Sequence, residues 1–292
     1  MSYLLSLPSE ILELIVYQLN NDDLKSVILF DPNIKNVLRW SIIYLYHFGT
    51  YKSVNYEEYH MWLSLERLKE KLNLKFILEE LVKLKTLYLF GNQIKVIPPE
   101  IGELKNLKEL DLSNNEIEAI PSEIGKLKNL QELKLSENEI KIIPPEIGEL
   151  KNLQQLRLDN NQIKDISPEI EELENLQYLY LNNNQIKVIP PEIGELKNLQ
   201  KLNLSYNKIT IISPKIGKLE NLRELYLDYN QIKVIPSEIG ELNNIQMLDL
   251  SKNQIKVIPP EIGKMNNLQY LDLYKNQIEA IPPELSHIEI LI

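Results

Sequence analysis

The last seven tenths of the sequence repeat one pattern of apolar and polar positions with a period of 23 residues. In each repeat, apolar residues at positions one, four and six line one side of a short run, as a strand with one buried face requires. Four further apolar positions then recur every three or four residues around a proline-rich corner. All seven positions are filled in nine repeats, which begin at Leu84, Leu107, Leu130, Leu153, Leu176, Leu199, Leu222, Ile245 and Leu268.

A single repeat of this kind is too small to bury its own apolar face, so neighbouring repeats must stack. The strands would then pair in parallel about 4.8 Å apart, and nine of them would form a wall about 43 Å long. The sequence therefore predicts an α/β fold, a curved solenoid with a parallel sheet on its concave face.

The consensus of the repeat is L-x-x-L-x-L-x-x-N-x-I-x-x-I, then the proline corner and E-I-G-x-L-x-N, as in residues 107–129. This consensus resembles the leucine-rich repeat family from Leu84 to the C-terminus. The resemblance implies a leucine-rich repeat solenoid of nine 23-residue repeats that acts in protein–protein interaction.

An asparagine stands at position nine of every repeat, for example Asn184. Nine identical polar groups in register invite a ligand-binding interpretation. However, an amide at a tight bend can satisfy the backbone groups that the turn leaves unpaired. We therefore interpret the asparagine column as structural. The glycine at position nineteen of seven repeats is interpreted in the same way, because it permits close packing of the backbone.

The composition changes where the repeats begin. Residues 1–83 contain two prolines and one glycine, against fourteen prolines and eight glycines afterwards. Helical spacing of apolar residues predicts three helices before Gly49, and the aromatic and charged run that follows predicts a linking helix. We therefore divide the chain into a helical domain (1–49), linking helices with the N-terminal cap of the solenoid (50–83), and the repeat domain (84–292).

The segment SLPSEILELIVYQLNNDDL resembles the start of an F-box, the helical module that docks substrate adaptors onto a Skp-family protein in cullin-based ubiquitin ligases. Further on, where that family usually has V-S-K/R-x-W, the chain has FDPNI. The alternatives are that these helices only cap the solenoid, or that they form another helical interaction module. The residues that the resemblance assigns to adaptor docking are Leu7, Pro8, Ile11, Leu12, Ile15, Leu19 and Leu24.

Composition and charge exclude several functional classes. The chain has no cysteine and only three scattered histidines, so we expect no catalytic residues, no cofactor and no metal site. Its formal net charge of −10 opposes binding to phosphates, so we expect no nucleic-acid partner. No uncharged run approaches the roughly 20 residues of a membrane span and no secretory signal is recognisable, so we expect a location inside the cell, in cytoplasm or nucleus, without membrane contact.

Positions three, five and seven of each repeat flank the strand leucines and are expected to point outwards on the concave face. These 27 places hold eight acidic, three basic and seven aromatic residues, and this balance predicts a basic target protein. A lysine or arginine of that target could stack on an exposed tyrosine while pairing with a carboxylate. The predicted target-binding residues, two of them on the adjoining lip, are Tyr178, Tyr180, Tyr206, Tyr226, Tyr229, Tyr270, Tyr274, Glu224, Asp228 and Asp249.

The sequence thus predicts a non-enzymatic substrate-recognition adaptor of a cullin-type ubiquitin ligase. Its N-terminal helices would dock a Skp-family adaptor, and its repeats would bind the target. The alternative is a leucine-rich repeat scaffold or signalling protein without a ligase role. The near identity of the repeats, together with the N-terminal box, resembles host-directed adaptors carried by large DNA viruses or intracellular bacteria.

Overall fold

The computed structural model describes residues 56–286 and 288–292. Helix α1 spans Tyr56–Lys71 and lies in the segment for which the sequence predicts a linking helix. A second, short helix, α2, spans Leu78–Lys83. The predicted F-box-like domain, with all seven residues assigned to adaptor docking, lies outside the described residues.

The described residues belong to two compact units. The larger unit runs from Glu79 to Ile292 and contains the repeats, and residues 56–78 belong to the other. Within residues 56–78, α1 buries Leu65 and Leu68 completely. The sequence-based division at residues 49 and 83 stays a prediction.

Each repeat opens with a three-residue strand, and the strands pair in parallel in strict chain order. The register advances by one repeat at each step, so that Leu110 pairs with Leu133 and Leu133 with Leu156. The structure adds a tenth strand to the nine that were predicted, because Ile290 and Leu291, where the ninth repeat ends, also pair with the ninth strand. The strands are β1 Thr86–Tyr88, β2 Glu109–Asp111, β3 Glu132–Lys134, β4 Gln155–Arg157, β5 Tyr178–Tyr180, β6 Lys201–Asn203, β7 Glu224–Tyr226, β8 Met247–Asp249, β9 Tyr270–Asp272 and β10 Ile290–Leu291.

A short 3₁₀ helix forms the opposite side of each coil. It follows the proline corner because proline lacks a backbone N–H and has a fixed φ, which suits a first helical position. A Cβ atom at Gly194 would meet the backbone carbonyl of Lys215 in the next coil, so glycine allows this side to stack closely. The 3₁₀ helices are Pro99–Glu103, Ser122–Lys126, Pro145–Glu149, Pro168–Glu172, Pro191–Glu195, Pro214–Lys218, Ser237–Glu241, Pro260–Lys264 and Pro283–Leu285.

The core consists of ladders of leucine and isoleucine between the sheet and the 3₁₀ helices. Leu179, Leu181 and Ile193, for example, are completely buried, and the same positions are buried in the neighbouring repeats. Because each coil covers only the next one, the stability of the unit is the sum of many similar contacts between neighbours.

The asparagine column has the structural role that the sequence predicted. The buried Asn184 donates from Nδ2 to the carbonyl oxygens of Leu158 (2.9 Å) and Leu181 (3.1 Å). Its Oδ1 accepts the backbone N–H of Ile163 at 2.9 Å. Each interior asparagine therefore ties its own turn to the preceding coil through groups that are shielded from water.

The residue just before each asparagine, at position eight, has a left-handed backbone conformation in every repeat. Glycine and asparagine adopt this conformation most easily, whereas bulky residues rarely do. The chain nevertheless places tyrosine there twice. The residues at position eight are Gly91, Asn114, Glu137, Asn160, Asn183, Tyr206, Tyr229, Lys252 and Lys275.

Candidate functional site

The concave face is defined here by the side chains at positions three and five of the strands. Strand register arranges them in rows, so that Tyr178 lies beside Lys201 and Lys201 beside Glu224. In the parallel row, Asn203 separates Tyr180 from Tyr226. Four of the predicted target-binding residues therefore lie together across strands β5 to β7.

Lys201 occupies the middle of this group. Its Nζ lies 4.8 Å from the ring centre of Tyr226 and 5.8 Å from that of Tyr180. It also forms an ion pair of 2.6 Å with Glu224, which accepts a hydrogen bond of 3.0 Å from the Tyr226 hydroxyl. Burial would lower the pKa of Lys201, but the hydrogen bond to Glu224 and the surrounding charges leave that pKa above its ordinary value. Lys201 is therefore charged at neutral pH.

The chain thus supplies its own cations to the two rings. On β4, the guanidinium of Arg157 lies 4.9 Å from the ring centre of Tyr180. The sequence predicts a lysine or arginine of the target at such a ring. Because Arg157 and Lys201 already contact these tyrosines, the expected position for a cation of the target moves to other carboxylates of the face.

All three basic residues of the concave face are paired with acids. Besides Lys201, Lys134 contacts Glu109 at 2.6 Å and Glu132 at 3.0 Å, and Arg157 lies 3.4 Å from Asp159. The basic side chains are thus neutralised locally. The excess negative charge of the face falls on the remaining carboxylates.

Three carboxylates on successive coils form what we call the acidic ladder: Asp249 and Asp272 at position five of the face, and Asp228 beside them at position seven. Asp249 and Asp272 are direct register partners on β8 and β9. Among the described residues, no lysine or arginine nitrogen lies within 4.0 Å of any of the three. Burial raises the pKa of Asp249 above its ordinary value, and the charges of Asp228 and Asp272 raise it further, against the hydrogen bonds from Ser251. A cation placed here would relieve that repulsion.

In several repeats position seven does not point outwards as the sequence predicts, although Phe90 and Tyr274 at the two ends of the unit do. Asp159 is buried and accepts a hydrogen bond of 2.8 Å from Ser136 Oγ, which is also buried. Ser205 is buried as well and donates its hydroxyl to Asp228. The reason is that the chain begins to turn at this position towards the buried asparagine, so its side chains pair across coils along the edge of the sheet.

The lip beside the concave face carries an aromatic stack. The rings of Tyr206 and Tyr229 lie nearly parallel, 17° apart, with their centres separated by 3.9 Å. Lys252 follows on the next coil, with Nζ 3.8 Å from the ring centre of Tyr229. It also donates a hydrogen bond to the Tyr229 hydroxyl, and this contact lowers the pKa of Tyr229. Both tyrosines remain exposed.

The last two predicted tyrosines lie at the C-terminal end of the face. The Tyr270 hydroxyl donates to Asp272 Oδ2 at 3.2 Å, and the backbone N–H of Tyr274 donates to Asp272 Oδ1 at 2.8 Å. Tyr274 is exposed, and Lys275 Nζ lies 5.3 Å from its ring centre. These residues extend the acidic ladder but do not contact the group around Lys201.

Sequence reasoning missed two members of the site, Lys201 as the centre of the tyrosine pair and Lys252 on the lip. A signal was present for Lys201, because its position-three neighbours on the adjacent strands are Tyr178 and Glu224, and Tyr180 and Tyr226 stand two residues further along those same strands. For Lys252 the signal was position eight, which the tyrosines of the two preceding repeats also occupy.

The described residues contain no cluster of three or more histidine, aspartate or glutamate side chains able to hold a metal ion. Within that same part of the chain, no helix is both long enough and apolar enough to cross a membrane.

Comparison with protein families gives one assignment. The model of the leucine-rich repeat region matches residues 23–176, 124–226, 164–248 and 211–291. No curated protein sequence gives a significant match.

Comparison with solved structures finds leucine-rich repeat proteins. The ectodomain of the Arabidopsis thaliana receptor kinase GASSHO1/SCHENGEN3 in complex with CASPARIAN STRIP INTEGRITY FACTOR 2 shares 30% identity over 72% of this chain, with a TM-score of 0.63. The plant peptide hormone receptor RGFR1 in complex with RGF2 shares 33% identity over 66%, with a TM-score of 0.53. PEPR1–AtPEP1 shares 28% identity over 77%, with a TM-score of 0.65. The chain covers 30% to 36% of those chains.

Proposed function

The chain belongs to the leucine-rich repeat family, and we propose that its concave face binds an extended, basic segment of another protein. The binding surface comprises the tyrosines around Lys201, the aromatic lip and the acidic ladder. The chain itself performs no chemistry in this proposal.

The acidic ladder is the observation that carries the proposal. Asp249 and Asp272 are register partners at strand spacing, about 4.8 Å, and Asp228 lies on the preceding coil. None of the three forms an ion pair with a lysine or arginine of the described residues. Carboxylates held this close repel one another, so a lysine or arginine of a partner would be attracted by all of them at once. The exposed rings next to the ladder supply apolar area and hydroxyls, as interface anchors commonly do.

The similar solved structures support a polypeptide as the bound partner. One is a receptor-kinase ectodomain in complex with CASPARIAN STRIP INTEGRITY FACTOR 2, and another is a plant peptide hormone receptor in complex with RGF2. An extended segment could run along the stack of coils and contact several repeats, since the strands form one continuous ten-stranded sheet. The chain covers only 30% to 36% of those chains, so we propose the mode of binding and not their ligands.

The aromatic lip adds an argument from backbone conformation. Tyr206 and Tyr229 have φ angles of 54° and 51°, a region that asparagine occupies at the same position of other repeats. A bulky residue in this region costs on the order of 1 kcal/mol or more. Stability of the turn therefore does not explain the two tyrosines, whereas contact with a partner does.

Replacing Tyr206 and Tyr229 together by asparagine tests this argument. We expect the affinity for the captured target to fall about tenfold, because two exposed interface anchors are lost. Thermal stability should change by less than about 1 kcal/mol, because the relieved backbone offsets the lost ring stacking. The measurements are isothermal calorimetry with a target first identified by affinity capture, and thermal unfolding followed by circular dichroism.

The control is Asn160→Tyr, which introduces tyrosine at the same position of the fourth repeat and should lower stability without raising affinity. If the double variant bound the target as tightly as the wild type, the lip would lie outside the binding surface.

For residues 1–49 we propose docking to a Skp-family adaptor, so that the chain presents its target to a cullin-type ubiquitin ligase inside the cell. The support is the F-box resemblance around Leu7, Pro8 and Ile11. The competing proposal is a repeat scaffold in which these helices have no ligase partner. The concave face would bind a protein in either case.

Size-exclusion chromatography with a purified Skp-family adaptor distinguishes the two. We expect the wild-type chain to co-elute with the adaptor, and the variant Ile11→Glu with Leu12→Glu to lose co-elution, because charges at a docking surface prevent its burial. Circular dichroism must show that the variant keeps its helices.

A concave-face variant, Tyr178→Ala with Tyr180→Ala and Tyr226→Ala, is the matched control and should still co-elute. Absence of a complex with the wild-type chain would reject the ligase role and leave the scaffold. It would not affect the proposal for the concave face.

A further inference from the structure

A second surface lies on the flank of the repeat unit, at position thirteen, just before the proline corner. In repeats five to eight this position holds large apolar side chains that are mostly exposed: Val188 (54%), Ile211 (64%), Val234 (71%) and Val257 (68%). Parallel bridges join Val188 to Ile211 and Val257 to Ala280, so neighbouring coils are at strand spacing there. These four residues form one continuous line, which we call the lateral ridge.

The ridge is bordered by lysines without acidic partners. Lys187, Lys233 and Lys256 stand at position twelve, and Lys208 at position ten. Through repeats five to eight, positions ten, twelve and thirteen contain no aspartate or glutamate. None of the four lysines forms an ion pair with a described residue. A chain of net charge −10 therefore carries a local basic and apolar surface.

The N-terminal repeats lack this combination. There, Lys95 pairs with Glu116 at 3.3 Å and Lys141 with Glu118 at 3.0 Å. Exposed apolar residues occur at position thirteen in these repeats too, but Ala119 and Asp165 interrupt the line. The uninterrupted ridge with unpaired lysines is thus confined to one part of the solenoid, although the repeats are nearly identical elsewhere.

A groove of about 590 Å³ opens beside the ridge. Val234 and Val257 line it together with Pro259, and Lys233 and Lys256 stand at its border. The lining of the groove is mainly apolar, so a bulky aliphatic side chain of a partner would fit into it. Acidic residues next to that side chain in the partner would then lie near Lys233 and Lys256.

We propose that the lateral ridge docks an acidic amphipathic helix of a partner protein. A helix lying along the stack would place one apolar side chain per turn, every 5.4 Å, against one ridge residue per coil, about every 4.8 Å. Acidic residues on the flanks of that helix would pair with the lysines. This surface is separate from the concave face and does not depend on the function proposed for it.

Two other occupants are less favoured by the charges. An anionic membrane would attract the lysines, but a bilayer is an extended surface that also meets the acidic remainder of the chain. A short helix feels mainly the charges within about one Debye length, roughly 8 Å at physiological salt, and at positions ten, twelve and thirteen of repeats five to eight the charged residues are all lysines. A second copy of the chain would have to bring a basic ridge onto an identical basic ridge in a symmetric dimer.

The test uses a synthetic peptide of about 18 residues with one leucine stripe at helical spacing and glutamate on both flanks. A second peptide has glutamine in place of glutamate, because a lysine peptide would be drawn to the acidic concave face. We expect the glutamate peptide to bind the wild-type chain and become helical, and the glutamine peptide to bind at least about tenfold more weakly. Fluorescence anisotropy gives the dissociation constants, and circular dichroism reports the helix.

The chain itself offers a matched pair of variants. Val234→Glu with Val257→Glu should weaken binding of the glutamate peptide at least about tenfold, because the double variant places acidic side chains within the ridge. Val96→Glu with Ile142→Glu changes the same motif position in the N-terminal repeats, where the side chains are equally exposed (69% and 73%). This control should leave the affinity for the glutamate peptide within about twofold of the wild-type value, because substitutions at exposed positions far from a binding site have small effects.

Three results would overturn the proposal. The first is no binding of the glutamate peptide, or equal weakening by both double variants. The second is that the chain binds vesicles of phosphatidylcholine and phosphatidylserine but not the glutamate peptide, and that Val234→Glu with Val257→Glu abolishes the vesicle binding. This result would assign the ridge to a membrane. The third is a dimer in light scattering that the same variant dissociates, which would assign it to a second copy.

Discussion

Replacing Asn184 by alanine is expected to lower the free energy of unfolding by about 2 to 3 kcal/mol. The change removes the amide that serves Leu158, Leu181 and Ile163, and leaves two backbone carbonyls and one N–H without their partner. All of these groups lie where water does not reach, so the full desolvation penalty applies. Thermal and urea unfolding of the variant beside the wild type measure the loss. Binding of a target should be unchanged, because the amide faces inwards.

Asn92 is the matched control for this variant. It stands at the same position of the first repeat but is exposed, and its Nδ2 donates only to its neighbour Phe90, at 3.1 Å. The first repeat has no repeat before it for this amide to bond with. Asn92→Ala should therefore lower the free energy of unfolding by no more than about 0.5 kcal/mol. Equal losses for the two variants would mean that the amide acts through local turn preference, and not through the bonds between coils.

The fold of the repeat region follows from its sequence because one short pattern decides both the strand and the turn. The apolar positions fix which side of the chain is buried, and stacking then fixes the neighbour of every residue. That is why the role of Asn184 could be predicted before any coordinate was known. The tenth strand, Ile290–Leu291, could not be predicted in the same way, because the sequence departs from the pattern where the ninth repeat ends.

The candidate site was predictable only in part. Alternation along a strand predicts that Tyr180 and Tyr226 share a face, and strand register confirms it. Whether a ring meets a partner or a neighbouring cation depends on the conformation of a long side chain such as Lys201. Sequence spacing does not determine that conformation, since lysine has many rotamers of similar energy.

The burial of position seven is a second limit. From alternation alone, Asp159 should point outwards like the residues at positions three and five. The strand ends two residues earlier, however, and the backbone is already turning at Asp159. Alternation therefore fails where a strand is only three residues long, and the buried hydroxyl–carboxylate pair of Ser136 and Asp159 takes the place of an exposed charge.

Replacing Tyr178, Tyr180 and Tyr226 together by alanine is expected to weaken target binding about a hundredfold or more, because each is a candidate anchor and interface energy is concentrated in few residues. The loss has a second cause. The ammonium group of Lys201 lies 4.8 Å from the ring centre of Tyr226 and 5.8 Å from that of Tyr180, and without these rings only its ion pair with Glu224 remains. A basic target would then meet a less shielded positive charge in place of two rings.

The structure supplies a control for this triple variant in Tyr88, which stands at position five of the first repeat and is exposed far from β5 to β7. Tyr88→Ala should change the affinity by less than about twofold and leave stability unaltered. Calorimetry with the captured target measures the affinity, and thermal unfolding measures the stability.

A triple variant that still binds would move the site to the lip or the acidic ladder. A second triple variant, with phenylalanine at the same three positions, shows whether the rings or the hydroxyl groups carry the binding. If the rings carry the binding, phenylalanine retains most of it; if the hydroxyls do, phenylalanine fails as alanine does.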